Sequence, residues 1–439
     1  MRRSKRNALF PLIALAVSTD LLFAQTVVER ERPRARAEDI AGIVKEITPR
    51  LIEMRRDLHA HPELSTREFR TAALVADYLT SLGLEVRTGI GGTGVLGILR
   101  GGKPGPVVGF RGDMDALPIT EETGLPFASK VTAELDGRET GVMHACGHDI
   151  HTTMLLGAAA VLARLRNKLP GTVLFIAQPA EEAGDGALAM IKNGVFRDAK
   201  PQALFAYHVD DTLPAGRISY IPGYAGANCD GFELAVRSQG CHGANPHLCA
   251  DPIVVAAQVV VALQAMIARE VEVNRNAVIT VGSFHAGTAS NVVPREAVLH
   301  ATVRSYGDDQ RRLLKQKVER LVGGLCGAWG ADYELDYFFG TIALYNDPAL
   351  LEEILPAAAD ALGGREFLVE YPPDMGGEDF SYFAREVPAV MIYLGVVPEG
   401  SGSVALHSPA FVADEAAIPL GVKVMSSVIW DYLARHGRL

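Results

Sequence analysis

Apolar and polar positions follow a regular alternation over the first part of the chain. From residue 39 onward, segments with helical periodicity alternate with short apolar runs typical of buried strands. The pattern predicts helices over 40–59, 152–166 and 187–193, and strands over 95–99, 107–110, 172–177 and 204–208. Such alternation favours an α/β domain whose central sheet is flanked by helices on both faces. Sheets of this kind bind ligands at the carboxyl ends of their strands.

The order of elements changes after Gly223. Between about 225 and 337 the sequence predicts a strand, a helix, two strands, a helix and a strand. These segments are 232–237, 252–271, 277–284, 298–306, 309–325 and 333–337. This order is that of a small ferredoxin-like α+β domain. The first pattern then resumes and ends in a helix over 416–435, so we expect an α/β domain (38–224 and 338–439) interrupted by an inserted lid domain (225–337).

Length and composition agree with this division. A chain of 439 residues is too long for one ordinary core, so two domains are expected. With 48% hydrophobic and 21% charged residues, it has the composition of a soluble globular protein. The formal charge is -10, and no basic stripe with interleaved aromatic residues occurs. Nucleic acid is therefore not expected as a partner.

The amino terminus resembles a secretory signal peptide. Four basic residues lie within the first six positions, ahead of an apolar run over 8–17, and Leu22-Phe23-Ala24 resembles a cleavage site. The pattern predicts a signal peptide over 1–24, a flexible arm over 25–37, and export to the periplasm or the medium. A retained membrane anchor is the alternative, although the apolar run is too short to span a bilayer. We expect no stable membrane span after cleavage.

The five cysteines are Cys146, Cys229, Cys241, Cys249 and Cys326. In an exported protein, an odd number leaves at least one thiol unpaired. If Cys146 binds a metal as a thiolate, the other four could form disulfides. Their irregular spacing does not indicate a disulfide framework and favours buried free thiols.

The stretch HACGHDIH, residues 144–151, carries three imidazoles, one thiol and one carboxylate. Cys146 and His148 are two residues apart, and on an extended or turning backbone both can point at one metal ion. Taken by itself, a cluster of this kind could also be a histidine-rich polar loop. The rest of the chain decides between these interpretations.

Further metal-binding side chains follow the ends of predicted strands. They are Asp113, Asp115, Glu181, Glu182, His208 and, far downstream, His407. Their convergence with the Cys-x-His pair favours a metal site over a set of unrelated polar surface residues. Of two adjacent carboxylates, one can bind the ion while the other acts as a general base. The candidate ligands outnumber what one catalytic ion needs, so we expect two ions that share a bridging ligand.

Seven motifs between about residues 51 and 435 together resemble one family. They are RRDLHAHPELSTRE, RGDMDALPI, HACGHDIH, QPAEE, GTASNVVP, GGEDFSYF and LHSPAF. The chain resembles the aminoacylase-like metallopeptidases, in the branch of hippurate hydrolases, N-acyl-L-amino-acid amidohydrolases and plant indole-acetyl-amino-acid hydrolases. The resemblance implies a phosphorylase/hydrolase-like catalytic domain and two divalent ions per subunit, Mn, Zn, Ni or Co. It also implies a homodimer formed through the lid.

The resemblance also implies roles for residues of the catalytic domain. Five residues match the ligand positions, namely Cys146, His148, Glu182, His208 and His407. Glu181 matches the catalytic base, and Asp115 matches the acidic residue that orients a ligand imidazole. His144 and His151 are left as supporting or packing residues.

In the lid, SQGCHGANPH resembles a family segment with a histidine that reaches the active site, often from the partner subunit. That residue is His242, whose imidazole would stabilise the tetrahedral oxyanion. Asn291 and Arg304 resemble polar lid residues near the substrate. Arg304 could form a bidentate pair with a free α-carboxylate, and a surface ion pair is the alternative.

The resemblance implies hydrolysis of the amide bond of an N-acyl amino acid, a hippurate-like or related conjugate, to a carboxylic acid and a free amino acid. Cys241, Asn245 and Asp210 depart from the residues usual in the family. The sequence therefore does not predict which acyl group the substrate carries. A metal-dependent dipeptidase or carboxypeptidase on short peptides is the alternative with the same chemistry. A non-catalytic periplasmic binding protein on the same fold is the alternative of another class.

Overall fold

The computed structural model describes the backbone of residues 19–437 and the side chains of residues 38–437. Most of the predicted signal peptide, residues 1–18, lies outside the described residues. Helix α1, Thr19–Ala60, runs through 25–37, where the sequence predicts a flexible arm. The Glu, Arg and Ala residues of that segment have high helix propensity, which fits a helical backbone there.

Nine α-helices are found between residues 19 and 437. They are α1 Thr19–Ala60, α2 Phe69–Ser81, α3 His148–Arg164, α4 Gly186–Lys192, α5 Pro252–Glu270, α6 Asp308–Trp329, α7 Pro348–Leu362, α8 Phe380–Glu386 and α9 Ala417–His436. Helices α5 and α6 belong to the lid, and the others belong to the catalytic domain.

The same part of the chain, residues 19–437, contains eighteen β-strands. The first nine are β1 Glu85–Ile90, β2 Gly94–Arg100, β3 Lys103–Asp113, β4 Thr132–Leu135, β5 Arg138–Gly141, β6 Pro170–Gln178, β7 Ala203–Pro214, β8 Ile218–Tyr220 and β9 Gly223–Tyr224. The others are β10 Asn228–Arg237, β11 Cys241–His242, β12 Ala277–Ala286, β13 Val292–Val293, β14 Glu296–Ser305, β15 Asp332–Phe338, β16 Tyr345–Asn346, β17 Leu368–Glu370 and β18 Ala389–Val397.

The catalytic domain is built on an eight-stranded mixed sheet in the order β1-β2-β6-β3-β7-β18-β8-β17. Its four central strands, β6, β3, β7 and β18, run parallel to one another. Asp113 at the end of β3 lies opposite Gln178 at the end of β6, and His208 on β7 lies opposite Tyr393 on β18. The carboxyl ends of these strands therefore meet at one edge, as the sequence predicts.

Helices cover both faces of this sheet. Helices α1, α3, α7 and α9 pack on one face around residues such as Leu51, Met154 and Val428, while α4 and α8 pack on the other around Met190 and Phe383. Helix α3 is buried from His148 through Leu162. Polar side chains at the start of a fully buried helix need hydrogen-bond, ion-pair or metal partners. The polar first turn of α3 therefore indicates a functional site.

The lid has an antiparallel sheet in the order β12-β14-β10-β15, with α5 and α6 packed against it. This is the strand order of a ferredoxin-like domain, and it confirms the fold class predicted from the sequence. Among the described helices, α5 alone is long and apolar enough, by length and composition, to cross a membrane. It contacts the lid sheet and α6 and leaves Ile253, Val254 and Val261 exposed.

A small ribbon of β11 and β13 extends from the lid. Cys241 on this ribbon forms a disulfide with Cys249, so the prediction of free thiols is wrong for these two residues. A turn around Pro246 brings their Cα atoms to 6.0 Å, within disulfide range, which spacing along the sequence does not reveal. The other described cysteines, Cys146, Cys229 and Cys326, are free.

Candidate metal centre

The five predicted metal ligands converge at the carboxyl edge of the central sheet. Cys146 and His148 lie at the start of α3, Glu182 follows β6, and His208 lies on β7. His407 comes from the loop between β18 and α9. The structure thus brings together side chains that are up to 261 residues apart in the chain.

The donor atoms form two groups around one thiol. Cys146 Sγ lies 3.4 Å from Nε2 of His208 and 3.4 Å from Nε2 of His407. Glu182 Oε1 lies 3.5 Å from His407 Nε2 and 3.9 Å from His148 Nε2. Cys146, His148 and His208 form one group that could hold an ion, and Cys146, Glu182 and His407 form another. Cys146 belongs to both, so its thiolate would be shared if each group held an ion.

Two local backbone features produce this arrangement. Gly147, between Cys146 and His148, has a left-handed conformation with φ +78°, and a Cβ there would lie 2.7 Å from Val209 Cγ2. Glycine is therefore required where the chain turns into α3. His407 also has a positive φ of 62°, which a non-glycine residue rarely adopts, and its amide donates to the carbonyl of Ala145 at 2.9 Å.

The residues fit a transition-metal ion. His148 Nε2 and Glu182 Oε1 are buried without a hydrogen-bond partner among the described residues. An unpaired buried polar atom costs roughly 1–3 kcal/mol, and a cation would remove that cost. Burial raises the pKa of the Cys146 thiol well above its usual value, so a thiolate at this position needs a cation beside it. Thiolate, imidazole and carboxylate together are ligands of ions such as zinc.

Asp115 holds His148 and the loop after β6. Its Oδ1 lies 3.2 Å from His148 Nδ1, and its carbonyl oxygen lies 2.9 Å from the same nitrogen. Its Oδ2 accepts hydrogen bonds from Ser65 Oγ at 2.6 Å and from the amide of Glu182 at 3.0 Å. Burial acts to raise the pKa of Asp115, but the hydrogen bond and charge of His148 outweigh burial and lower it. These contacts fit the orienting role that the sequence predicts.

Glu181 faces a different environment from Glu182. Its pKa is raised well above the usual value, first by burial and then by the charges of Glu378 and Asp379. The amide of Asp379 donates a long hydrogen bond, 3.4 Å, to Glu181 Oε1. A carboxyl group with a raised pKa is suited to accepting a proton and releasing it again.

Arg111 is the centre of a charged cluster for which the sequence assigned no role. Its buried guanidinium donates to Gln178 at 2.7 Å, to Asp113, to Glu378 at 2.8 Å and to Asp379 at 3.3 Å. Arg111 lies in the RGDMDALPI motif, and the two acids lie in GGEDFSYF. The one sequence signal for this cluster is that each motif contains a charged residue without an assigned role. Nothing in the sequence indicates that residues 267 positions apart form an ion pair.

The two remaining histidines of HACGHDIH are buried and do not belong to the thiol-centred groups. His151 Nδ1 lies 2.7 Å from Asp113 Oδ1, and its Nε2 accepts from the amide of Val209 at 2.9 Å. Burial lowers the pKa of His144 to about 4. Both environments favour a neutral imidazole, in keeping with supporting or packing roles.

A cavity of about 820 Å³ opens beside the ligands, between the catalytic domain and the lid. Its volume is that of a small-molecule site. Apolar side chains such as Met391 and Leu344 line it together with Tyr393. Asp210 also lines it, but its carboxylate already accepts from Thr212 and Ser219 and is held in the wall.

Of the three lid residues predicted near the substrate, Arg304 lines this cavity, where its guanidinium donates to Cys229 Sγ. His242 and Asn291 do not line it. They lie together on the β11–β13 ribbon, where the amide of Gly243 donates to the carbonyl of Asn291 at 2.8 Å. Both residues are exposed, and neither lines the cavity of its own chain.

Comparison with known proteins agrees with the fold and the metal-binding groups. Residues 109–431 match the model of peptidase family M20/M25/M40. The chain is 36% identical over 389 residues to thermostable carboxypeptidase 1 of Saccharolobus solfataricus, covering 88% of this chain and 95% of that protein. It is 37% identical over 370 residues to N-acetylcysteine deacetylase of Bacillus subtilis, covering 84% of this chain and 93% of that protein.

A solved structure shows the same architecture. The Bacillus subtilis YXEP protein, a dinuclear metal binding peptidase from the M20 family, has a TM-score of 0.75 and 34% identity to this chain. The match covers 89% of this chain and 99% of that structure. The resemblance seen in the motifs is thereby confirmed. The chain belongs to peptidase family M20/M25/M40, and it is a metal-dependent hydrolase of the aminoacylase-like type.

Proposed function

We propose that this hydrolase uses two divalent metal ions per subunit to cleave the amide bond of N-acyl amino acids. The observation that carries the proposal is the pair of adjacent glutamates in different environments beside a thiol shared by two ligand groups. A relative named as an N-acetylcysteine deacetylase supports the substrate class. A carboxypeptidase activity on short peptides is the second candidate, because another relative is named as a carboxypeptidase.

Cys146, His148, Glu182, His208 and His407 would hold the ions. When bound, the ions supply Lewis-acid polarisation of the scissile carbonyl. Glu182 is assigned as a ligand because it shares a group with Cys146 and His407, whereas Glu181 does not lie in a group with the thiol.

The remaining chemistry is proton transfer by Glu181. Its carboxylate takes a proton from the attacking water and delivers it to the nitrogen of the leaving amine. The raised pKa that burial and the neighbouring acids produce makes Glu181 a stronger base toward the attacking water. The amide of Asp379 donates a long hydrogen bond to one oxygen of Glu181, which favours one orientation of the carboxylate.

Exchange of each glutamate for glutamine tests these assignments. Glu181→Gln should lower kcat by roughly 10²–10⁴ and leave the metal content intact, since only the base is lost. Glu182→Gln should lower the metal content, since a ligand is lost. The measurements are steady-state kinetics on N-acyl amino acids and on dipeptides, with elemental analysis of each variant. The reverse behaviour of the two variants would exchange their roles, and turnover confined to peptides would favour the second candidate.

We also propose that two copies associate through their lids and that His242 and Asn291 act in the partner's cavity. Three observations support this. His242 lies away from the cavity of its own chain, α5 exposes Ile253, Val254 and Val261, and β12 is an edge strand of the lid sheet. A second copy paired along that edge would cover unpaired backbone groups and apolar side chains together.

Export to the periplasm or the medium is part of the same proposal. The basic and apolar pattern of residues 1–24 supports it, and so does the disulfide between Cys241 and Cys249, because disulfides persist in oxidising compartments. Fractionation of cells that produce the full chain tests this proposal. Activity found in the cytoplasm, on a chain that keeps residues 1–24, would contradict it.

A further inference from the structure

The segment between α1 and α2, residues 63–68, contacts both loops that carry the acidic site residues. The carbonyl of Glu63 accepts from the amide of Ala116 at 2.8 Å, next to Asp115. Ser65 donates to Asp115 itself. Neither Glu63 nor Ser65 reaches the loop after β6, which carries Glu181. That contact is made by Glu68.

Glu68 is fully buried, and its carboxylate is used entirely within the protein. Oε1 accepts from the amide of Thr66 at 2.8 Å and from the amide of Ala180 at 2.9 Å. Oε2 accepts from the hydroxyl of Thr93. Burial raises the pKa of Glu68, while the hydrogen bonds from Thr93 and from the amide of Ala180 oppose the effect. Burial of a carboxylate costs desolvation free energy, so we looked for the role that keeps Glu68 at this buried position.

The two amides that meet at Oε1 belong to residues in an unfavourable conformation. Thr66 has φ 67° and Ala180 has φ 52°, and these are two of four non-glycine residues with positive φ in the described chain. Such conformations persist only where surrounding contacts hold them. Ala180 immediately precedes Glu181 and Glu182, so its backbone conformation sets the direction in which both glutamates leave β6.

Helix capping does not account for Glu68. It occupies the N-cap position of α2, but its side chain makes no capping hydrogen bond. Glu63 caps the helix instead, since its carboxylate accepts from the amides of Arg70 at 2.9 Å and Thr71 at 2.8 Å. The two carboxylates of one segment therefore serve different purposes, and Glu63 provides a matched control.

We infer that Glu68 is a positioning residue for catalysis, which fixes the strained turn at Ala180 and thereby aims Glu181 at the reaction centre. The inference rests on the proposed role of Glu181 as the base. Glu182 has a second support, because its own amide is held by Asp115. Loss of Glu68 should therefore disturb Glu181 more than the metal ligand beside it.

The test compares four variants by kinetics, metal content and thermal unfolding. Glu68→Ala should lower kcat roughly 10- to 100-fold with KM within about twofold, because small displacements of a reacting group are costly. Glu68→Asp, whose carboxylate is withdrawn by one methylene, should lower kcat about tenfold. Glu68→Gln keeps an oxygen that can accept both amides, and it should stay within about threefold of wild type. Glu63→Ala should lower the melting temperature through loss of the cap and leave kcat unchanged.

Wild-type kcat in Glu68→Ala, with only a lower melting temperature, would show a purely structural role and overturn the inference. If Glu68→Ala does not fold, Glu68→Asp decides, and wild-type kcat in that variant overturns the inference as well. Glu181→Gln measured in parallel separates the two proposals. If Glu181→Gln keeps its activity, the proposed function fails and this inference with it. If Glu181→Gln is inactive while Glu68→Ala is not, the positioning inference alone fails.

Discussion

Burial and neighbouring charge give Glu181 and Glu182 different chemistry, although they are adjacent in the chain. Glu182 Oε1 lies within 3.5 Å of a histidine nitrogen and accepts no hydrogen bond from the described residues, which leaves it open to a cation. Glu181 is surrounded by Glu378 and Asp379, which raise its pKa. Arg111 holds those two acids in place. The environment, more than the identity of the residue, separates ligand from base.

Arg304 is the charged lid residue that the structure places in the cavity wall, and it carries a prediction about substrate binding. Arg304→Ala should raise KM roughly 10- to 100-fold for N-acyl amino acids with a free α-carboxylate, because a charged hydrogen bond is lost. The same substrate with its carboxylate converted to an amide should show little change. Steady-state kinetics on this pair of substrates checks the prediction.

Arg237→Ala is the matched control for Arg304→Ala. Arg237 is also a lid arginine, but it is exposed and pairs with Glu296 and Glu334, each at 2.7 Å. Exposed pairs of this kind contribute little to stability, so the variant should behave as wild type. An equal loss of affinity for both substrates in Arg304→Ala would assign Arg304 to the structure of the wall and not to the carboxylate.

The site residues differ in how far the sequence could predict them. Cys146, His148 and the two glutamates belong to compact motifs whose chemistry is visible in a few residues. Glu68 and Arg111 could not be assigned in this way, because their roles come from contacts with segments 112 and 267 residues away. The disulfide of Cys241 was missed for a related reason, since a local turn and not the spacing brings the two sulfurs together.

Among the elements, the β11–β13 ribbon has the most direct consequence for function. It carries His242 on β11, with Asn291 immediately before β13 at the same end, and the disulfide between Cys241 and Cys249 closes the loop that follows β11. A short, closed ribbon presents its side chains in a fixed geometry. We therefore expect it to deliver both residues as one unit to the cavity of a partner chain.

Complementation between inactive chains tests this expectation. His242→Ala should lower kcat by about 10²–10³ through loss of an oxyanion donor. Mixing this variant with Glu181→Gln should restore activity up to about a quarter of the wild-type sites, because half of randomly formed dimers contain both chains and each holds one complete site. The measurement is activity against the mixing ratio. No recovery, with subunit exchange shown by mass spectrometry, would mean that His242 does not act in the partner's cavity.

The elements themselves follow well from the sequence where periodicity is strong. The lid order and three of the four central parallel strands, β3, β6 and β7, were predicted because each segment shows its own apolar pattern. The short strands β8 and β17 at one side of the sheet were not predicted, since three residues are too few to show a period and their pairing depends on the rest of the sheet.

At the scale of the whole molecule, the fold brings two domains to one cavity. The sheet edge supplies the metal ligands and the base, and the lid supplies Arg304 to the opposite wall. Segments from before and after the lid contribute to the same centre, because His407 follows the inserted domain while Cys146 precedes it. The site can therefore form only when both parts of the catalytic domain have folded together.

Metal stoichiometry tests the central claim of this account most directly. Elemental analysis of the purified mature protein should find close to two transition-metal ions per chain, and a chelator should remove both the metal and the activity. Cys146→Ser should lower the content toward zero, because its sulfur belongs to both ligand groups. A metal-free protein whose hydrolysis of N-acyl amino acids is insensitive to the chelator would contradict the account.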